Sequence, residues 1–232
     1  MFFILFFAII ALMIITYFGE QFFKITQGDM ILAFNPVSKN AKSDVVAHFG
    51  ADIALVTTNH PLYNGVEQLS HGERMPFIVN GPGDYEVREV LVKGVMSDVL
   101  ISDLSAQTEK KYINTIYSFS LDNIRIVFLG ALGNPEISKE AHEVIDSPDI
   151  LFVPIGGSVV SKEINLLDAK SAAKLALVFE PRLIIPMSYD DNTLKIFLKE
   201  IGEEKALVVD KLTIKSKDLE GKEGEVVVLK PV

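Results

Sequence analysis

The chain has 232 residues, 49% of them hydrophobic and 23% charged, with a net charge of −9 and no cysteine. That length and composition suit one large domain with a sizeable core and exclude a disordered chain, while the missing cysteine excludes disulfides, thiolate zinc sites and a cysteine nucleophile. The acidic balance excludes nucleic acid as the main partner and disfavours a general docking face for anionic lipid, since both need a basic surface.

The first 18 residues, MFFILFFAIIALMIITYF, have Thr16 as their only polar side chain. A spanning helix needs about 20 apolar residues, and the segment lacks the basic start and small-residue cleavage site of a signal peptide. Two readings stay open. Residues 1–12 are a membrane anchor, or they are a short hydrophobic extension or a mis-assigned start, with a single domain over 13–232. The β-branched and aromatic run at 14–18 favours a strand there and hence the second reading. The expected location is the cytoplasm, with residues 1–12 as the one segment suited to membrane contact.

The short β runs IITYFG, QFFKIT and MILAFN follow, separated by the turn dipeptides Gly19-Glu20 and Gly28-Asp29. VSKNAKSDVVAHFG predicts a short helix closed by Gly50. ADIALVTT is a continuous apolar strand of the kind buried on both faces. PFIVNGPGDYEVREVLVKGV gives two or three strands around Gly81-Pro82-Gly83, and YINTIYSFSLDNIRIVFLGALG a hairpin turning at Asp122-Asn123. Asn134 and Pro135 predict the start of a helix, PEISKEAHEVID. DILFVPIGG is a buried strand, NLLDAKSAAKLALVFE a helix, RLIIPMSY a strand and DNTLKIFLKEIG a helix, before the closing strands ALVVDKLTIK and GEVVVLKP. Helices recurring between strands in both halves imply two packed sheets covered by helices.

Small and polar residues gather at five strand ends: GEQ, FNP, TTNHPLYN, FLGALG and IPMSY. Loops at strand ends are where layered α/β folds build sites. A pocket assembled from them contains Glu20, Asn35, Thr58, Asn59, His60, Tyr63, Asn64, Ala131 and Ser188. It has one histidine and one carboxylate, too few for a dinuclear metal centre. The other histidines, His48, His71 and His142, form no HxH, HxxxH or HExxH pair with it and read as surface or turn residues. His60 is a hydrogen-bonded structural residue on this reading. The alternatives are a ligand-binding role, or a weak metal site shared with Glu20 and Asp190 or Asp191. Gly156-Gly157 is either a tight turn or an anion cradle. Asp84 and Glu86 share a strand face, as an acid/base pair or as a solvated edge.

The order of these tags resembles the metallo-β-lactamase superfamily, and most closely its branch of ascorbate-6-phosphate-lactonase-like, zinc-dependent hydrolases. ITYFGEQFFKI is similar to the family's I-T-Y-Y-G-H-S-C-F-K-I, and ILAFNP to I-L-I-D-P. ADIALVTTNHPLYN is similar to A-D-I-V-L-V-T-H-x-H-x-D-H-N, and GPGDYEV to G-P-G-E-Y-E-V. NTIY also matches, FLGALG parallels H-L-G-D-L-G, LFVPIGG parallels L-L-V-P-V-G-G, and IPMSY parallels I-P-M-H-Y. The resemblance spans the chain from about residue 14 to its end and implies an α/β fold, the αββα four-layer sandwich. It also implies a metal centre of zinc or manganese, but the ligand positions fall on Glu20, Thr58, His60, Leu62, Tyr63, Ala131 and Ser188. Only the histidine is retained, while the glycines, prolines and the GPGDYEV turn are intact. The reading that follows is a non-catalytic pseudoenzyme without metal or other cofactor, with a ligand-binding, protein-binding or scaffold role. The alternative is a lactonase- or phosphodiesterase-type hydrolase with a rebuilt mononuclear site. Relatives in the branch self-associate, so a homo-oligomer is a further implication; the small molecule or protein it binds is not legible.

Overall fold

Alternation of buried apolar and half-exposed residues over Met13–Gly19 makes strand β1, with Met13, Ile15 and Tyr17 facing inward. It lies second in a six-stranded mixed sheet. β14 (Lys211–Ile214), β1, β2 (Phe22–Gln27) and β3 (Met30–Phe34) run antiparallel, and β4 (Ile53–Val56) and β5 (Phe77–Asn80) follow in parallel. The second sheet has nine strands. β7 (Val90–Asp103), β8 (Thr108–Leu121) and β9 (Ile124–Phe128) form an antiparallel meander. β10 (Ile150–Pro154), β12 (Leu183–Met187), β15 (Glu225–Leu229) and β13 (Leu207–Val209) continue it in parallel. The short β11 (Ile164–Asn165) and the hairpin strand β6 (Gly83–Val87) pair with β7. This computed structural model describes residues 12–103, 106–158 and 160–232. The alternative readings of the N-terminal segment fall on residues 1–11, outside the described residues. Among the described residues no helix is long and apolar enough to cross a membrane.

The two sheets pack face to face over an aromatic core. Phe23, Phe34, Phe128 and Phe152 meet at centroid distances of 4.9 Å (Phe23–Phe152), 5.0 Å (Phe34–Phe128) and 5.5 Å (Phe128–Phe152). Each is fully buried, and offset and edge-to-face rings of this kind add attraction beyond area burial. The parallel strands β10 and β12 are buried at every residue, because helices cover their other face. Those helices are α1 (Lys139–Ile145), α2 (Ala169–Val178) and α3 (Asp191–Ile201). The alanines of α2 at 169, 172, 173 and 176 face the sheet and let it come close. Asp168 caps α2, and Asp190 caps α3 in a box with Thr193.

The outer layer on the six-stranded sheet is built differently. The helix expected over residues 37–50 does not form, and irregular chain over 36–50 and 57–71 covers that face, with one 3₁₀ turn at Val66–Leu69. The reason is local competition. Ser38 Oγ accepts from Asn40 N–H at 3.2 Å and Ser43 Oγ from Val45 N–H at 3.2 Å, offering the backbone partners that a helix would otherwise supply. The same competition shortens α1. Asn134 Oδ1 accepts from Glu136 N–H at 2.9 Å, and the helix starts only after Ser138, whose hydroxyl accepts from Ala141 N–H. The hairpin at Asp122-Asn123 forms where expected, both residues taking positive φ.

Phe152→Ala removes a ring at the centre of the sandwich and is expected to cost about 3–5 kcal/mol, read as a lower urea midpoint with an unchanged slope.

Candidate functional site

β1 ends in a register shift between Tyr17 and Gly19, and this bulge turns Glu20 inward. Glu20 is only 7% exposed and holds a left-handed backbone (φ 53°). Two more strand-end residues share that strain: Asn35 after β3 (φ 42°) and Ser188 after β12 (φ 54°). The Ser188 N–H donates to the Glu20 carbonyl at 2.9 Å, and Tyr17 Oη donates to the same oxygen at 2.9 Å. The Glu20 carboxyl accepts a short hydrogen bond from Ser158 Oγ. Burial raises its pKa above the ordinary value, and the hydroxyls of Ser158 and Ser161 offset only part of that. The group is therefore biased toward its neutral form.

Asn35 and Thr57 bind each other twice. Asn35 Nδ2 donates to Thr57 Oγ1 at 2.9 Å, and Thr57 N–H donates to Asn35 Oδ1 at 2.9 Å. Asn35 Nδ2 also donates to Gln21 Oε1 at 2.8 Å. Asn114, fully buried on β8, carries the network to the second sheet. Its Oδ1 accepts from Thr58 Oγ1 at 3.2 Å and from Ala131 N–H at 2.7 Å, while its Nδ2 donates to Leu129 O at 2.9 Å and to Ser97 Oγ at 2.8 Å. Gly130 has to be glycine here, because a Cβ would lie 2.5 Å from Asn114 Oδ1 on a backbone at φ 61°. Tyr117, three residues along the same NTIY tag, donates from its hydroxyl to Val56 O at 2.8 Å and accepts from Gly81 N–H at 3.0 Å. One strand thus braces both the loop after β4 and the GPGDYEV turn.

His60 turns away from this ground. Leu62 N–H donates to its Nδ1 at 3.3 Å, which leaves the ring proton on Nε2, 3.3 Å from the Glu163 carboxylate. Burial lowers the pKa of His60, and Glu163 works against that. The expected neighbours Asp190 and Asp191 are instead the cap and first residue of α3. Leu62, Tyr63, Thr58 and Ala131 are all buried, Tyr63 completely. Asn59 is exposed, and Asn64 donates from Nδ2 to its Oδ1 at 2.7 Å on the surface of the loop. His48, His71 and His142 are exposed and lie apart from the site, as do the exposed Asp84 and Glu86.

The structure thus brings together Glu20, Tyr63 and Ser188 at one point and Asn35, Thr58 and Ala131 in the adjoining network, with Asn59, His60 and Asn64 on the rim. Composition and spacing did not reveal Gln21, Thr57, Asn114, Ser158, Ser161 or Glu163. The NTIY tag was the one signal for Asn114. A cleft of about 440 Å³ opens beside the site, lined among others by Ser102, Glu109, Ser158, Ser161 and Glu163. Gly156 and Gly157 border it, and a Cβ on Gly157 would lie 2.4 Å from Thr193 Cγ2, so the pair makes a tight turn against α3.

The donor set does not fit zinc or manganese. The family positions offer, besides His60, one carboxyl, a buried phenol, hydroxyls, a leucine and an alanine. His60 has both ring nitrogens engaged. Among the described residues no three His, Asp or Glu side chains come together as a cation site.

The family model described as the beta-lactamase superfamily domain matches residues 14–188. No curated protein matches the chain. Among solved structures it is similar to a Thermotoga maritima protein proposed to be a zinc-dependent hydrolase of the metallo-β-lactamase superfamily. That pair shares 23% identity over 94% of this chain and 98% of the other, with a TM-score of 0.68. It is also similar to Igni18, a metallo hydrolase of Ignicoccus hospitalis KIN4/I, at 16% identity over 95% and 96% of the two chains and a TM-score of 0.58. A third is YhfI of Bacillus subtilis, a metallo-β-lactamase fold protein, at 8% identity over 95% and 97% and a TM-score of 0.58. At such identities the likeness is one of fold.

The raised pKa of Glu20 sets a pH signature. A carboxyl whose folded pKa lies above its unfolded one favours folding fully below the unfolded value and loses that contribution as pH rises toward the folded value. Glu20→Gln, neutral at every pH, is expected to gain stability relative to the parent as pH rises above 4.5, the ordinary glutamate value. Parallel thermal melts across the acid-to-neutral range check this, and a constant difference between the two proteins contradicts it.

Proposed function

Because the chain belongs to the β-lactamase superfamily and no three His, Asp or Glu side chains come together as a metal site among the described residues, we propose that it is a non-catalytic member whose strand-end loops serve as a scaffold for ligand or protein binding. One observation carries the reading. Hydrogen bonds among Gln21, Asn35, Thr57, Thr58 and Asn114 fill the ground beneath the family's ligand positions. Hydrolysis in metal-dependent enzymes needs a cation to lower the pKa of a bound water and to polarise the substrate. Leu62 and Ala131 offer no side-chain donor for one, and one oxygen of the Glu20 carboxyl is taken by Ser158. A fold by itself does not establish activity.

The test is metal content. Protein purified with and without added zinc or manganese is expected to hold fewer than about 0.1 ion per chain by mass spectrometry. Close to one ion per chain, lost in His60→Ala, overturns the proposal in favour of a rebuilt mononuclear hydrolase site, and a lactone and phosphodiester panel then identifies its reaction.

The uncharged, apolar residues 1–12 supply the same scaffold with a segment for lipid contact. Full-length protein is expected to pellet with phosphatidylcholine vesicles while protein starting at Met13 stays in the supernatant. Equal behaviour of the two removes this contact from the proposal.

A further inference from the structure

Three polar atoms around Glu20 are buried and have no hydrogen-bond partner within the protein: Glu20 Oε2, Tyr63 Oη and Ser188 Oγ. They belong to three different loops, after β1, after β4 and after β12, and Tyr63 and Ser188 are completely buried. The three lie side by side. Ser188 N–H holds the Glu20 carbonyl at 2.9 Å, and both the Glu20 carboxyl and the Ser188 hydroxyl bear on the ionisation of Tyr63. The Tyr63 and Ser188 hydroxyls lie near one another without forming a hydrogen bond. The other two such atoms, Gln21 Nε2 and Thr115 Oγ1, border the Asn35–Thr57 network instead.

Unpaired polar atoms are rare in protein interiors, and three on one point call for a partner that all of them can share. Phenol and serine hydroxyls both donate and accept, and the free carboxyl oxygen accepts. Ser158 donates to Oε1, so the second carboxyl oxygen, Oε2, is the one left to bond a further group. A divalent cation would find one carboxyl and two neutral hydroxyls, a poor ligand set, and an anion would meet the carboxyl. A neutral molecule with at least one acceptor and two donors suits all three, and a buried water commonly makes about three such bonds.

We propose that Glu20 Oε2, Tyr63 Oη and Ser188 Oγ form a binding site for one neutral, water-sized molecule, a water in the resting protein, at the position where the family's loops converge on metal. This rests on the non-catalytic reading above. The molecule bonds Glu20 Oε2 and both hydroxyls, so it ties the Tyr63 loop to the loops after β1 and β12, which the Ser188 N–H and the Glu20 carbonyl already join. Ser158 and Ser161, which hydrogen-bond Glu20, line the open cleft and give the site its exchange route.

A high-resolution crystal structure of the full chain, collected also at the zinc and manganese absorption edges, tests the proposal. The expected result is a single peak within about 3 Å of all three atoms and without anomalous signal. No peak, or Tyr63 and Ser188 bonded directly to each other, overturns this inference while the non-catalytic reading stands. An anomalous peak overturns both. In solution, Tyr63→Phe, Ser188→Ala and the double variant form a cycle read by urea unfolding. Because both hydroxyls hold one molecule, the double variant is expected to lose less stability than the sum of the single losses, and additive losses overturn the shared site.

Discussion

A polar group at the end of a buried strand must find its partner inside the protein, and five loops of this chain meet where solvent does not reach. The whole strand-end region is arranged around that requirement. Asn114 meets it for the second sheet by giving its two amide atoms to Thr58, Ala131, Leu129 and Ser97, which come from three separate stretches of chain. Asn35 meets it for the first sheet through Thr57 and Gln21. Such amide clamps do what bonds to a central ion do in a metalloprotein: they fix several loops relative to one another, without charge and without a cofactor.

The backbone keeps a feature that side-chain chemistry no longer explains. Glu20, Asn35 and Ser188 all hold positive φ, the conformation that aims a strand-end side chain into the space between the sheets. Holding non-glycine residues there costs of order 1 kcal/mol each, and the aromatic core and the surrounding hydrogen bonds supply the compensation. The fold therefore still presents side chains inward at these points, while the residues presented are a neutral-biased carboxyl, an amide and a hydroxyl. Backbone geometry and ligand chemistry are separable, since the first depends on sheets and turns and the second on a handful of side chains.

Burial sets the electrostatics of the same region. The hydroxyls of Tyr17 and Tyr63 are both held well above their ordinary pKa by desolvation, with the nearby Glu20 carboxyl adding to it. Burial thus pushes each of these groups toward its uncharged form. His60 and Glu163 stand at the region's rim, where His60 Nε2 lies 3.3 Å from the half-exposed carboxylate.

The sequence by itself determined the strands, the hairpin at Asp122-Asn123 and the family. These are local or ordered signals: alternation in β1, continuous apolar runs in β10 and β12, and tags that keep their order along the chain. What only the tertiary structure decided were contacts between residues far apart in sequence. The 37–50 helix failed because serine hydroxyls and the covering loop outcompeted its weak propensity. Asn114 was one letter in a strand tag until packing set it against Thr58 and Ala131, and Ser158 and Glu163 found Glu20 and His60 across more than a hundred residues. Side-chain pairing across such separations follows from how sheets stack, and composition and spacing carry no record of it.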